Sequence, residues 1–321
     1  MERLLLTLVI IFISLIAGYA LRQWASFSAS IPGEALASFR LRIQKIAMFG
    51  LIPVSAMLSL WGLASPSPHL ICLPALGLAS WISGGVLALL FSFFLKLNPA
   101  KTGSMYCCGS FSNIGAVGSF VCVMQFGEAS IAMASLYRIF EEMFYFGIAI
   151  PFVRHFSSAQ NIPTVSRCLR IDPALAAVLL ALSLGLALNL AGVHRPAIFG
   201  TLASGAMLAG TICFLFSIGM GLRLSSLGMY VHEAAAISLI KFALVPAIVT
   251  SLAMLAHLQN VEGGLPLRVV AVLSAMPVAM NALIPPSLFN LDLDLANACW
   301  IFTTLALIVI LPIIMIILPL L

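Results

Sequence analysis

Charge is what this sequence has least of. Fifteen Lys or Arg and ten Asp or Glu make up only 8% of 321 residues, which excludes a soluble enzyme. A nucleotide-driven pump is excluded too, because no G-x-x-x-x-G-K-[ST] phosphate loop is present. Cysteine is sparse and poorly spaced for metal or redox work. Cys107 and Cys108 are adjacent, and Cys72, Cys122, Cys168, Cys213 and Cys299 stand apart, mostly in apolar runs. They read as small buried hydrophobes, with no metal or cofactor implied. The net charge of +5 is no nucleic-acid signal here. Long polar stretches are also missing, apart from VRHFSSAQNIPTVSRCLRID at 153–172.

What is present is apolar sequence, at 62% hydrophobic and a mean hydropathy of +1.17. Runs of about 20 residues, each able to span roughly 30 Å of hydrocarbon, recur along the whole length. The chain reads as an all-α integral membrane protein with little mass outside the bilayer. The first run, Leu4 to Ala20, is long and lacks a clear cleavage site, so it reads as a spanning helix rather than a signal peptide. Ten crossings are expected, at 3–21, 43–63, 70–95, 103–125, 129–152, 173–192, 197–222, 226–255, 266–290 and 293–319.

The basic residues orient them. With the N-terminus outside, the inner loops hold Arg22, Arg40, Arg42, Lys45, Lys96, Lys101, Arg154, Arg167, Arg170 and Arg223. The outer ends hold only Arg3, Arg195 and Arg268. Under the positive-inside rule, both termini then face the periplasm or exterior and the 153–172 loop faces the cytoplasm. Trp24, Trp61, Trp81 and Trp300 lie mostly toward span ends, as an aromatic belt would place them.

Five spans precede the polar loop and five follow it. An odd number per half inverts the second half in the membrane. The expected division is a first repeat at 1–152, a linker at 153–172 and an inverted second repeat at 173–321. QFGEASIAMASLYRIF (125–140) precedes LFNLDLDLANACWIFTT (288–304) by 163 residues, and each has a Phe, an acidic turn and a new apolar run. The fourth span of each half is interrupted, by SNIGAVG (112–118) and by MPVAMNALIPP (276–286). Broken spans at matching positions in two halves point to a transporter binding site. Unwound backbone at that depth needs protein or a watery cavity around it. Gly115 and Gly118 also suit plain close helix packing. Asn113 and Asn281 offer uncharged donors and acceptors, while Pro277 withholds an N–H. Asn113, Gly115, Gly118, Pro277 and Asn281 are therefore the expected substrate-binding residues.

Charges inside spans form a second set. Arg138 is spaced to reach both Glu141 and Glu142. The trio either neutralises itself and holds the fifth helix, or leaves one carboxylate to carry a proton. Lys241 is alone in the eighth span. A lone buried lysine tends to lose its proton or find a partner, and three roles are open to it: to pair with Glu141 or Glu142, to cap the broken helices, or to bind a substrate carboxylate. His232 and Glu233 read as an interfacial pair, and Asp292 and Asp294 as a solvated turn.

MPVAMNA (276–282), followed by FNLDLDLANACWIFTTLALIVILP (289–312), resembles the auxin efflux carrier family, particularly its bacterial malate or malonate permease-like members. Asn113, Gly118 and Gly127 match more loosely, and Phe120 stands where the family usually has proline. The resemblance covers nearly the whole chain. It implies a sodium/proton antiporter-like or bile-acid-symporter-like fold, with helices 4 and 9 crossing in a transport part beside a scaffold part. It also implies elevator-like or rocking alternation, and in antiporters of similar fold a lysine supports the crossing. The function expected is a secondary transporter for a small organic anion, such as malate, malonate or another carboxylate. It is expected in a bacterial inner membrane, linked to protons. Fold analogues suggest a homodimer through the scaffold helices. The rival readings are a sodium- or proton-coupled cation antiporter and a ligand-sensing membrane protein without transport.

Overall fold

The structure, a computed structural model, describes residues 2–27, 33–63, 68–157, 173–222 and 227–320. No strand occurs among the described residues. In chain order, α1 (Glu2–Phe27) is followed by α2 (Gly33–Lys45), which runs through a π-helical stretch (Ile46–Leu51) into α3 (Ile52–Trp61). Next come α4 (Leu73–Phe94), α5 (Pro99–Ser110), a π turn (Ile114–Gly118) and α6 (Ser119–Phe126). Then α7 (Ala129–Tyr137) and α8 (Glu141–Phe144) lead through a third π turn (Tyr145–Ala149) to α9 (Ile150–Val153). The later elements open with α10 (Pro173–Leu190) and α11 (Ile198–Gly219). Next, α12 (Val231–Leu239) passes through a π turn (Ile240–Leu244) into α13 (Val245–Leu255). Last are α14 (Leu265–Ser274), α15 (Ile284–Leu288) and α16 (Leu293–Ile317).

Six helices among the described residues are long and apolar enough to cross a membrane: Glu2–Phe27, Glu34–Trp61, His69–Phe94, Ile198–Gly219, Val231–Leu255 and Leu293–Ile317. Three of the other expected crossings, at 103–125, 129–152 and 266–290, fall on helices in pieces. The remaining expected crossing, at 173–192, falls on the single 18-residue helix α10. Most of the expected linker, residues 158–172, lies outside the described residues, as do Arg167, Cys168, Arg170 and Arg223.

The chain forms two compact units, and each draws on both sequence halves. The first comprises Met1–Pro66, Gly115–Ser135 and Asp172–Leu222. The second comprises Ser67–Ile114, Leu136–Ile171 and Arg223–Leu321.

The first unit packs backbone on backbone. A Cβ on Gly18 of α1 would lie 2.0 Å from the Phe216 carbonyl oxygen of α11, and one on Gly219 would lie 2.1 Å from that of Leu15. Small residues permit this approach where lipid gives no hydrophobic drive for association. The Ser55 hydroxyl donates to the Ala203 carbonyl (2.7 Å). The Asn189 amide donates to the carbonyls of Trp61 (3.0 Å) and Leu63 (2.7 Å), closing the end of α3. Arg195 grips Glu128 with both terminal nitrogens and also donates to the Leu58 carbonyl (2.9 Å).

In the second unit, α4 and α5 meet at Gly84 and Gly109. A Cβ on Gly84 would stand 2.1 Å from the Gly109 carbonyl oxygen. Asn98 caps α5 by accepting from the Lys101 N–H (2.9 Å), with Pro99 in the first turn. Asp292 caps α16 through the Leu295 N–H (2.9 Å). Two tryptophans depart from the aromatic-belt expectation. Trp81 is fully buried and Trp300 nearly so, while Trp24 is exposed. Trp81 stacks near Phe144, with ring centroids 5.9 Å apart. Burial inside the unit overrides the preference of the indole for the interface.

Candidate functional site: two unwound segments that pair

The helix that begins at Pro99 stops at Ser110 because residues 111–113 turn extended. The helix that begins at Leu265 stops at Ser274, and the backbone is non-helical as far as Ala279. The two open segments pair with each other in the second unit. The Asn113 N–H donates to the Pro277 carbonyl (2.8 Å), and the Ala279 N–H donates to the Phe111 carbonyl (3.1 Å). Ser112 and Val278 form the isolated antiparallel bridge between these bonds. Pro277 has no N–H to give, so its carbonyl alone takes part. The pairing meets the demand that every backbone polar group in a bilayer find a partner within the protein. Val278 would still be left with an unmet donor. Thr303 of α16 accepts it (3.2 Å) while its own hydroxyl donates to the Cys299 carbonyl (2.8 Å).

Lys241 reaches this crossing from the π turn between α12 and α13. Its side chain is 1% exposed. The ammonium donates to the Gly109 carbonyl (2.6 Å) and to the Ser112 hydroxyl (2.9 Å). Gly109 is the penultimate residue of α5, at the end where unpaired helical carbonyls gather partial negative charge. Of the three roles open to Lys241 in the sequence, its observed contacts are those of a cap on the broken helix. None of the three ion pairs among the described residues includes it.

Asn281 is the second residue of the short 3-10 turn (Met280–Leu283) that resumes the second broken helix. Its carbonyl accepts from the Tyr145 hydroxyl (3.1 Å). Its side-chain Oδ1 is buried without a donor among the described residues. Phe111 packs edge-on to Tyr145 (4.9 Å between centroids) and lies 6.1 Å from Phe144. The fifth span therefore supplies an aromatic wall to the crossing. One turn earlier in that span, Arg138 pairs with Glu141 (2.9 Å) across the helix break at 138–140. The Glu141 side chain is 4% exposed.

The structure thus brings together Asn113, Pro277 and Lys241, and links Asn281 to the fifth span. Gly115 and Gly118 sit in the π turn that follows Asn113, at the start of a first-unit segment. Glu233 is buried and pairs with Lys101 (3.1 Å), rather than with its neighbour His232. The solvated turn expected at Asp292 is engaged instead. Its Oδ2 accepts from the Tyr230 hydroxyl (3.1 Å), and the Lys101 ammonium lies 5.0 Å from the Tyr230 ring centre.

Sequence reasoning missed Ser112, Tyr145 and Thr303. Ser112 stood in the interrupted stretch itself, and Thr303 in the Thr-rich start of the last helix, so both carried a signal. Tyr145 carried none. Four π-helical stretches were also missed, and two of them present Tyr145 and Lys241. Such bulges concentrate at functional sites.

The sequence matches no known family model, and a search of curated proteins finds no match.

Proposed function

We propose that this protein is a secondary transporter for a small organic anion, such as malate, malonate or another carboxylate. Access alternates around the paired breaks of helices 4 and 9. The reading counts ten crossings in two inverted five-helix repeats, with both termini outside a bacterial inner membrane. The pairing of 111–113 with 277–279, capped by a buried cation, is the observation that carries it. The reading of a repeat is supported by two positive-φ positions, Gly127 (φ 84°) and Asn290 (φ 52°). They stand 163 residues apart, the spacing of the two similar sequence segments.

The physical logic is one of unbalanced dipoles. Where two broken helices cross, their positive and negative ends come together and offset one another. Lys241 cancels the negative end of α5. The helical N–H groups that resume after the second break, and the amide of Asn281, then favour an anion. Proton linkage in this reading rests on the fifth-span charges Arg138, Glu141 and Glu142.

Uptake of labelled malate and malonate into proteoliposomes preloaded with the same unlabelled acid tests it, with and without a pH gradient. Flux of at least one acid is expected in the parent and is expected to be lost in Asn281→Ala. Equal flux in that variant would remove the crossing as the anion site.

A further inference from the structure

We infer that the protein is an anion exchanger, completing its cycle only when a carboxylate rides on both legs. The inference rests on the carboxylate-transport reading above and adds a requirement to it. It follows from what surrounds Lys241. An ammonium has three N–H donors and no acceptor. Two of the three are used, on the Gly109 carbonyl and the Ser112 hydroxyl. Both partners are neutral. The 2.6 Å bond to Gly109 is as short as charge-assisted hydrogen bonds are.

No carboxylate of the described residues forms an ion pair with Lys241. Glu141 is held by Arg138, and Glu233 by Lys101. The Cys108 thiol, beside Gly109 on α5, is engaged with the Ala296 carbonyl (3.8 Å). Among the described residues the charge therefore lacks a counter-ion, at a position 1% exposed.

Alternating access requires a stage in which the crossing is sealed from water on both sides. With a singly charged carboxylate on the third N–H, such as hydrogen malate or hydrogen malonate with the second carboxyl protonated, the sealed site holds a neutral pair. Without one it holds a bare cation. By insertion scales, that difference slows the empty leg by about 100-fold. A pH gradient would bias the exchange without replacing the second anion.

The test loads proteoliposomes of the full chain with unlabelled malate or with sucrose and clamps the membrane potential. Initial uptake of labelled malate is then read, and the assay is repeated with malonate. In the parent, internal anion is expected to raise uptake on the order of 100-fold. Lys241→Arg keeps the charge and should keep a large ratio. Lys241→Met should bring the ratio toward one. Brisk parent uptake that is equal with sucrose inside overturns the exchange while leaving the transport reading intact. Parent uptake into sucrose-loaded vesicles driven by a pH gradient alone also overturns it. Absence of flux for both acids under every condition sinks the transport reading, and the exchange with it.

Discussion

Thr303 shows how much one hydroxyl settles at this crossing. It donates to the Cys299 carbonyl and accepts the Val278 N–H, a group with no helix to join. Replacing it by valine keeps the shape and strands a buried donor. Such a loss costs about 1–3 kcal/mol, so Thr303→Val should unfold at lower temperature in detergent. Thr303→Ser should unfold near the parent. Equal unfolding of all three would mean that the Val278 N–H has another partner. The residue scale also shows what a sequence reader can find. Asn113, Asn281 and Lys241 stand out because amides and ammonium groups are costly in lipid. Ser112, Thr303 and Tyr145 do not, because hydroxyls are cheap there and often satisfied within their own helix. Their roles depend on partners 129, 25 and 136 positions away.

Among the elements, the breaks were legible and the bulges were not. Gly, Pro and Asn announce an interrupted helix directly. A π turn inserts one residue into the helical register and leaves no compositional mark, so the aim of Lys241 could not be read. The fifth span was read as continuous because its apolar pattern hides the break at 138–140. Helix contacts at this scale hinge on missing side chains. A methyl on Gly84 would meet the Gly109 carbonyl at 2.1 Å, and Lys241 binds that same oxygen. Gly84→Ala is expected to lower the unfolding temperature and reduce anion flux together. Gly205→Ala, inside α11 with nothing within 4 Å of the added carbon, should leave flux intact. It should add up to about 1 kcal/mol of stability. A parent-like Gly84→Ala would contradict the close α4–α5 contact.

On the scale of the whole molecule, composition alone was enough to read an all-helical, multi-span membrane chain. Six long apolar helices among the described residues agree with that reading. The compact units were less legible, because each is assembled from both halves of the sequence. Such interleaving arises from contacts between distant segments, which hydropathy does not record. The central claim is that the paired breaks hold a carboxylate. Thermal unfolding of the purified chain, titrated with malate, malonate or sodium, tests it most directly. A ligand at 100 times its Kd stabilises by about 2.7 kcal/mol. The expected result is a rise in unfolding temperature with at least one carboxylate, absent in Asn281→Ala. A rise with sodium alone, abolished by Glu141→Gln, would contradict the account and identify a cation site in the fifth span.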